Sequence, residues 1–143
     1  MADEQTSRPP AVLADADSEP FWKAAQQRRL RIQSCAACER LTFPPKACCP
    51  NCLGPLDWQD VSGKGHVYSY TIARLNVVSG YNAPYAVAWI SLVEQEDIRL
   101  TTNILGCPLD EITIGMRVEV TFEDRAGALV VPQFRPVPAG QGC

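Results

Sequence analysis

The sequence is poor in the side chains on which most enzyme active sites depend. It contains one histidine, His66, among 143 residues. No Ser/His/Asp or Cys/His arrangement can be built without it. His66 follows two glycines at the start of a predicted strand, which is typical of a surface or packing residue rather than a catalytic base. We therefore predict no catalytic residue and favour a binding or accessory protein.

Long apolar runs are also missing. None approaches the roughly 20 residues that span a bilayer, and the first residues lack the basic start and apolar stretch of a signal peptide. We therefore expect a soluble cytoplasmic protein with no membrane partner. With 46% hydrophobic and 20% charged residues, the chain can bury a core and is not disordered overall.

The chain as a whole also has no excess of basic residues, since its formal net charge is -3. The charge is uneven: residues 21–66 carry seven Lys or Arg against three acids, whereas residues 67–143 carry five against eight. A long nucleic-acid duplex usually needs a strongly basic domain. The local basic segment is either a solvated face or a site for a small anionic partner.

What the sequence does have is seven cysteines, four of them in two Cys-x2-Cys pairs. An odd count without an export signal favours metal binding over disulfides. Cys35, Cys38, Cys49 and Cys52 predict one closed tetrahedral Zn²⁺ site of structural type. Cys48 could replace Cys49 with a shift of one residue, but Cys49-Pro50-Asn51-Cys52 has the ordinary spacing. We expect Cys48 to be a bystander thiol, Cys107 a buried small residue and Cys143 an exposed tail thiol.

The segment before the cysteines predicts a mobile tail over residues 1–17 and then a short helix. Ser18 can cap the helix, and Pro20 suits its first turn. Phe21, Ala24, Ala25 and Arg28 share one face at helical spacing. Phe21 and Trp22 either pack on the body of the protein or anchor a partner subunit.

The segment after Trp58 has the period of strands. Tyr68, Tyr70 and Ile72 alternate on one side of the first strand, and residues 85–93 read as a strand covered on both faces. Residues 108–112 form a possible helical turn. The five strand candidates are residues 67–73, 85–93, 99–105, 116–122 and 129–134, and in the fourth Val118, Val120 and Phe122 point inward.

Five strands with a short helix between the third and fourth predict an OB-fold barrel. An SH3-like barrel or a small sandwich would give a similar pattern. The predicted fold is mainly β: an N-terminal helix, a rubredoxin-like zinc ribbon and a five-stranded OB-fold. The expected boundaries are a tail at 1–17, helix and ribbon at 18–60, OB-fold at 61–137 and a C-terminal tail at 138–143.

The ordered combination of motifs resembles a known family, the zinc-ribbon/OB-fold proteins associated with acyl-CoA enzymes. The likeness covers about residues 18–137. Residues 94–99 depart from the pattern, since many relatives turn there with a Glu-Gly pair. The shared motifs are Phe21-Trp22, the two Cys-x2-Cys pairs, Phe43-Pro44-Pro45, residues 62–71, residues 84–88, residues 114–122 and Phe134-Arg135-Pro136.

The resemblance implies a non-catalytic subunit that completes a complex with a thiolase-superfamily enzyme and helps hold its acyl-CoA. Such partners include sterol-carrier-protein-x-type thiolases and steroid side-chain aldolases, and other relatives are paired with hotdog-fold hydratases. The resemblance places the zinc ligands at the same four cysteines. Coenzyme A carries phosphates, to which the basic segment could offer positive charge: Arg28, Arg29, Arg31, Arg40, Lys46 and Lys64.

The expected assembly is an obligate hetero-tetramer with two copies of each chain, because a two-fold thiolase-like core would carry two accessory subunits. Zinc ribbons and OB-folds also bind single-stranded nucleic acid, using a positive groove with stacking aromatics. Tyr68, Tyr70, Tyr85 and Trp89 could stack in this way. The net acidic barrel makes this the second hypothesis, and an independent enzyme is the third.

Overall fold

The computed structural model describes residues 14–78, 80–125 and 129–138. Cys143, the turn at residues 126–127 and most of both predicted tails lie outside the described residues. Within the described part, no helix is long and apolar enough to cross a membrane. The elements are α1 (Glu19–Gln26), β1 (Leu30–Cys35), β2 (Leu41–Thr42), β3 (Leu56–Val61), β4 (Lys64–Ala73), β5 (Tyr85–Leu92), β6 (Gln95–Asn103), a 3-10 turn (Leu109–Glu111), β7 (Arg117–Asp124) and β8 (Val130–Pro136).

Helix α1 forms as predicted, with Pro20 in its first turn and Phe21, Ala24 and Ala25 buried. Ser18 occupies the N-cap position, but its hydroxyl does not cap the helix, so that detail of the prediction is wrong. The hydroxyl instead accepts the Asp15 N–H at 3.1 Å, while the Ser18 N–H donates to Asp15 Oδ1 at 2.8 Å. Arg28 does not share the helix face either, since it lies beyond the helix with a φ of 59°.

The ribbon contains a three-stranded antiparallel sheet in the order β2-β1-β3. The five strand candidates in the sequence do not include these three strands. Gln33 on β1 is buried. It binds both backbone groups of Lys46, donating to the carbonyl at 2.9 Å and accepting from the N–H at 2.7 Å. This pair of hydrogen bonds fixes the loop that leads to the second cysteine pair.

The second sheet has five strands in the order β6-β5-β4-β7-β8. It curls until its edges meet, since Ile104 forms a parallel bridge with Phe134 and the Leu105 N–H donates to the Phe134 carbonyl at 2.8 Å. The 3-10 turn lies between the third and fourth barrel strands. This topology confirms the predicted OB-fold.

The barrel core is apolar and continuous with the helix. Phe134, Ile90, Val67 and Val118 are fully buried, and Val120 and Phe122 are half-buried against them as predicted. Gly65 permits close packing of β4 on β5, because a Cβ there would lie 2.3 Å from the Ser91 carbonyl oxygen.

Two features of the barrel strands differ from the predicted alternation. The β4–β5 register shifts between Val67 and Ser69, which leaves Tyr68 44% exposed while Tyr70 packs against the core. Strand β5 is not covered on both faces, since Trp89 is 50% exposed. A β-bulge changes which residues face inward, and alternation alone does not reveal it.

Strand β6 also begins earlier than predicted. Leu92 pairs with Gln95, so the chain turns over two residues, Val93 and Glu94, without a glycine. The Glu94 carboxylate accepts the N–H of Ser62 at 2.8 Å, which ties this turn to the end of β3. The segment that departs from the family pattern therefore forms a tight hairpin.

The ribbon and the barrel are joined by polar and aromatic contacts. Gln95 on β6 accepts the Leu41 N–H at 2.9 Å and donates to the Leu41 carbonyl at 3.1 Å. Phe21 contacts Phe43 with ring centroids 5.7 Å apart. The Gln95 bonds place β2 beside β6, and helix α1 also contacts β8.

Candidate metal centre and surrounding surfaces

The structure brings the four predicted cysteines together. Their sulfur atoms all lie within 4.8 Å of one another, with 3.4 Å between Cys35 and Cys52 and 3.7 Å between Cys38 and Cys49. A tetrahedron with Zn–S bonds of about 2.3 Å has sulfur atoms about 3.8 Å apart. The cluster therefore fits one Zn²⁺ ion. Four protein ligands leave no open position, which makes the site structural.

Two similar turns present the thiols. In the first, the Glu39 N–H donates to the Cys35 carbonyl at 3.0 Å, and in the second the Leu53 N–H donates to Cys49 at 2.9 Å. Glu39 and Leu53 both have a positive φ, 63° and 62°. Gly54 lies against the cluster, where a Cβ would be 3.2 Å from Cys52 Sγ and 3.3 Å from Cys35 Sγ. Each Cys-x2-Cys pair thus turns tightly enough to aim two sulfurs at one point.

The thiols respond differently to their surroundings. The Arg40 backbone N–H, followed by the Asn51 side-chain amide, lowers the pKa of Cys38 to about 6. The Gly54 N–H lowers the pKa of Cys52, but the neighbouring thiols of Cys35 and Cys38 outweigh it and raise that pKa to about 12. Four sulfurs this close cannot all ionise without a cation between them. A divalent metal ion supplies that charge.

The remaining described cysteines stay outside the cluster. Cys48 is exposed, and its neighbour Cys49 is the one that joins the other three thiols, as predicted. Cys107 is half-buried rather than buried. Burial, followed by the charge of Glu111, raises the pKa of its thiol.

The structure does not gather the six predicted cations into one cluster. Four arginines pair with carboxylates instead. The pairs are Arg28 with Asp124 at 2.7 Å, Arg29 and Arg31 with Asp60 at 3.0 and 2.7 Å, and Arg40 with Asp97 at 2.7 Å. Among the described residues, the exposed ammonium groups of Lys46 and Lys64 have no ion-pair partner.

His66 lies on β4, half-buried, opposite Ser91 on one neighbouring strand and Arg117 on the other. No second histidine exists to complete a relay. The arrangement suits a packing residue of the sheet.

An exposed aromatic cluster lies on the outside of strands β4, β5 and β6. The rings of Tyr68 and Trp89 stack with centroids 6.4 Å apart at 27°. The Arg99 guanidinium lies 3.8 Å from the Tyr68 ring centroid, and Trp89 Nε1 donates to Thr101 Oγ1 at 3.0 Å. Both rings are among the stacking groups expected from the sequence, but Arg99 is not. Only the strand register brings Arg99 beside them.

A groove of about 550 Å³ continues from this cluster. Residues of helix α1, of the Phe43-Pro44 loop and of strands β5, β6 and β8 line it. Its walls are largely apolar and include Phe21, Trp22, Phe43, Trp89, Leu100 and Pro132.

Comparison with known proteins gives two domain matches. Residues 22–58 match the family described as "ChsH2, rubredoxin-like zinc ribbon domain", and residues 58–123 match "ChsH2, C-terminal OB-fold domain". The ribbon family and the four clustered thiols together support one structural zinc ion per chain.

Curated relatives include a "Probable enoyl-CoA hydratase alpha subunit" of Thermomonospora curvata, 41% identical over 140 residues. That match covers 93% of this chain but 43% of the relative, so the chain spans less than half of that protein's length. A "DUF35 domain-containing scaffold protein" of Methanocaldococcus jannaschii is 32% identical, with 78% of this chain and 80% of the relative covered.

Among solved structures, a chain of the "Ltp2-ChsH2(DUF35) aldolase" superposes with a TM-score of 0.82 at 39% identity. The match covers 88% of this chain and 98% of that one. The zinc ribbon, the OB-fold and these relatives agree, and the chain belongs to the ChsH2/DUF35 family of zinc-ribbon and OB-fold proteins.

Proposed function

We propose that this chain is a non-catalytic accessory subunit of a thiolase-superfamily acyl-CoA enzyme. The partner would carry out thiolysis, retro-aldol cleavage or acyl transfer, in lipid or steroid side-chain degradation. The observation that carries the proposal is the 39% identity across 98% of a chain from an Ltp2–ChsH2 aldolase. A relative named as a scaffold protein agrees with an accessory role.

The small number of side chains suited to catalysis supports the same conclusion. The zinc shell is closed, and His66 has no histidine partner. The chain alone should therefore show no thiolase, aldolase or hydratase activity. In the complex, His66→Ala should keep turnover within about tenfold of wild type, or about 1.4 kcal/mol in the barrier. A loss of several orders of magnitude with assembly intact would make His66 catalytic.

Assembly provides the direct test. Light scattering on the chain co-expressed with an Ltp2-type aldolase should show a hetero-tetramer with two copies of each chain. An obligate interface of this kind should bury more than about 2,000 Å² in total. If the proteins elute separately at micromolar concentration, and the partner's activity does not change, the proposal fails.

We further propose that the chain contacts the acyl-CoA through its basic side chains. Phosphates would meet Lys46 and Lys64 directly, whereas the four arginines would have to exchange a carboxylate for a phosphate. The cost of that exchange is small, because exposed ion pairs contribute about 0–1 kcal/mol. Calorimetry with coenzyme A on the complex tests this: Lys46→Ala with Lys64→Ala should weaken binding, and unchanged affinity would remove these lysines from the site.

Single-stranded nucleic acid is the alternative ligand, and the Tyr68–Trp89 stack is the observation that favours it. Aromatic platforms on OB-folds stack bases. The barrel has few cations, however, and two of its arginines, Arg125 and Arg135, are paired with Glu123 and Glu119. Salt-dependent binding to an oligonucleotide would separate the two functions.

A further inference from the structure

The exposed stack is held in place before any ligand arrives. Trp89 is hydrogen-bonded to Thr101 at 3.0 Å, and the Tyr68 ring contacts both the Trp89 ring and the Arg99 guanidinium. Large side chains that are half exposed and still ordered lose little conformational entropy on binding. Trp, Tyr and Arg are also the residues most enriched at the energetic centres of protein interfaces.

The groove adds an apolar pocket beside this stack. Trp89 belongs to both features, since it stacks on Tyr68 and also lines the groove. Leu100 and Pro132 are buried side chains of the barrel that line the same groove. We call the stack and the groove together the aromatic face.

The aromatic face carries an arginine without an ion pair to any residue that the structure describes, whereas several arginines elsewhere on the surface are paired with acids. Arg28, Arg31 and Arg40 each have a carboxylate at 2.7 Å. Arg99 is exposed and contacts the Tyr68 ring, and among the described residues it forms no ion pair; Asp97, which lines the same groove, pairs with Arg40 instead. An apolar pocket with one cation at its edge is complementary to an apolar side chain that is flanked by an acid.

We propose that the aromatic face is the surface on which the aldolase-type partner docks. The partner inserts an apolar side chain into the groove against Trp89 and places a carboxylate on Arg99. This inference rests on the proposed function and names the surface that performs it.

The same face fits nucleic acid less well. A single-stranded site needs a row of cations along the backbone in addition to stacking rings. Here one cation accompanies the two rings, and the other arginine near the groove, Arg40, is neutralised by Asp97. A protein partner needs only the single charge.

The test uses the full-length chain and the Ltp2 aldolase of the similar complex. Binding of wild type, Trp89→Ala, Arg99→Glu and Val77→Ser is measured by calorimetry. Val77 is the matched control, because it is 77% exposed and apolar but does not line the groove. Circular dichroism and zinc content establish that each variant is folded.

We expect Trp89→Ala to raise Kd by at least about 30-fold, as for a central interface tryptophan. Arg99→Glu should raise it by about tenfold or more, and Val77→Ser should leave it within about twofold. If wild type binds and Trp89→Ala binds equally well, the docking surface lies elsewhere. An equal loss in Val77→Ser would also overturn the assignment.

Two further results separate the possibilities. If wild type does not bind the aldolase at all, the proposed function fails, not merely the surface. If a 20-nucleotide oligo(dT) binds in a salt-dependent manner that Trp89→Ala abolishes, while aldolase binding is unchanged, the face is a nucleic-acid site and the docking proposal is wrong.

Discussion

The ribbon and the barrel are built on the same chain but hold together by different means. The ribbon has three strands of six, two and six residues, and few of its side chains are fully buried. Its four thiols converge on one point. The barrel has five strands of seven to ten residues around an apolar core, to which Leu30, Ile32 and Leu41 of the ribbon also contribute.

This difference follows from size. A small module cannot bury enough apolar surface to offset the entropy of ordering its chain, so a metal supplies the missing free energy. The barrel closes on itself and needs no metal. Its interior also accepts a buried polar network, in which Gln133 binds Thr102 Oγ1 and the Asn103 N–H, both at 2.8 Å.

The sharpest way to break the ribbon alone is to remove one ligand. Cys49→Ser should abolish tight zinc binding and cost the ribbon folding free energy on the order of 10 kcal/mol. Elemental analysis and hydrogen exchange would measure the metal and the local opening. Cys48→Ser is the matched control, since Cys48 is exposed and outside the cluster. A Cys49→Ser protein that keeps full zinc would refute the ligand assignment.

The barrel should be most sensitive at Phe134, which is fully buried and also bridges to Ile104. Phe134→Ala should lower the free energy of unfolding by about 3–5 kcal/mol through lost burial and a cavity. Urea denaturation measures the loss. Ile114→Ala, at a residue 70% exposed, should stay within about 0.5 kcal/mol. The Phe134→Ala protein should still bind one zinc ion per chain. Loss of zinc in this variant would contradict the view that the ribbon and the barrel hold together by different means.

The polar network inside the barrel predicts a smaller effect. Gln133→Ala removes the side-chain acceptor of the Asn103 N–H and leaves the Thr102 hydroxyl only the longer bond to the Asn103 carbonyl at 3.2 Å, which should cost about 1–3 kcal/mol. Gln59→Ala is the control, because Gln59 is an exposed strand glutamine. Equal stability of the two variants would mean that water replaces the lost bonds.

The smallest expected effect on stability comes from the ion pairs of Asp60 on the outer face of the ribbon. A hydrogen bond from Arg31, with the charge of Arg29, lowers the pKa of Asp60 below its usual 3.8. Its stabilisation is therefore present above pH 3.8 and lost as the pH falls through the lower pKa of the folded state. Because Asp60 is 44% exposed, the total should not exceed about 1 kcal/mol.

Asp60→Asn should remove this loss of stability at low pH and should change the free energy of unfolding little at neutral pH. Unfolding curves at pH 7 and pH 3 provide the measurement. A loss of several kcal/mol at pH 7 would show that the pair carries the ribbon, contrary to the role assigned here to zinc.

The sequence by itself determined the metal site and the barrel class. Thiol spacing is local, so Cys-x2-Cys predicts a tight turn wherever it lies, and two of them complete one coordination shell. The alternation of apolar and polar residues over 116–122 likewise predicts which side chains face the core, because adjacent side chains on a strand point to opposite faces. Val118, Val120 and Phe122 follow this rule in the structure.

Only the tertiary structure decided how distant residues meet. Arg28 pairs with Asp124 across 96 positions and Arg40 with Asp97 across 57, so the count of cations in one segment overstated the charge available to a ligand. The bulge beside Tyr68 and the register that stacks Trp89 on it depend on how β4 meets β5. Such contacts are set by strand pairing and packing between elements, which no local pattern of residue types encodes.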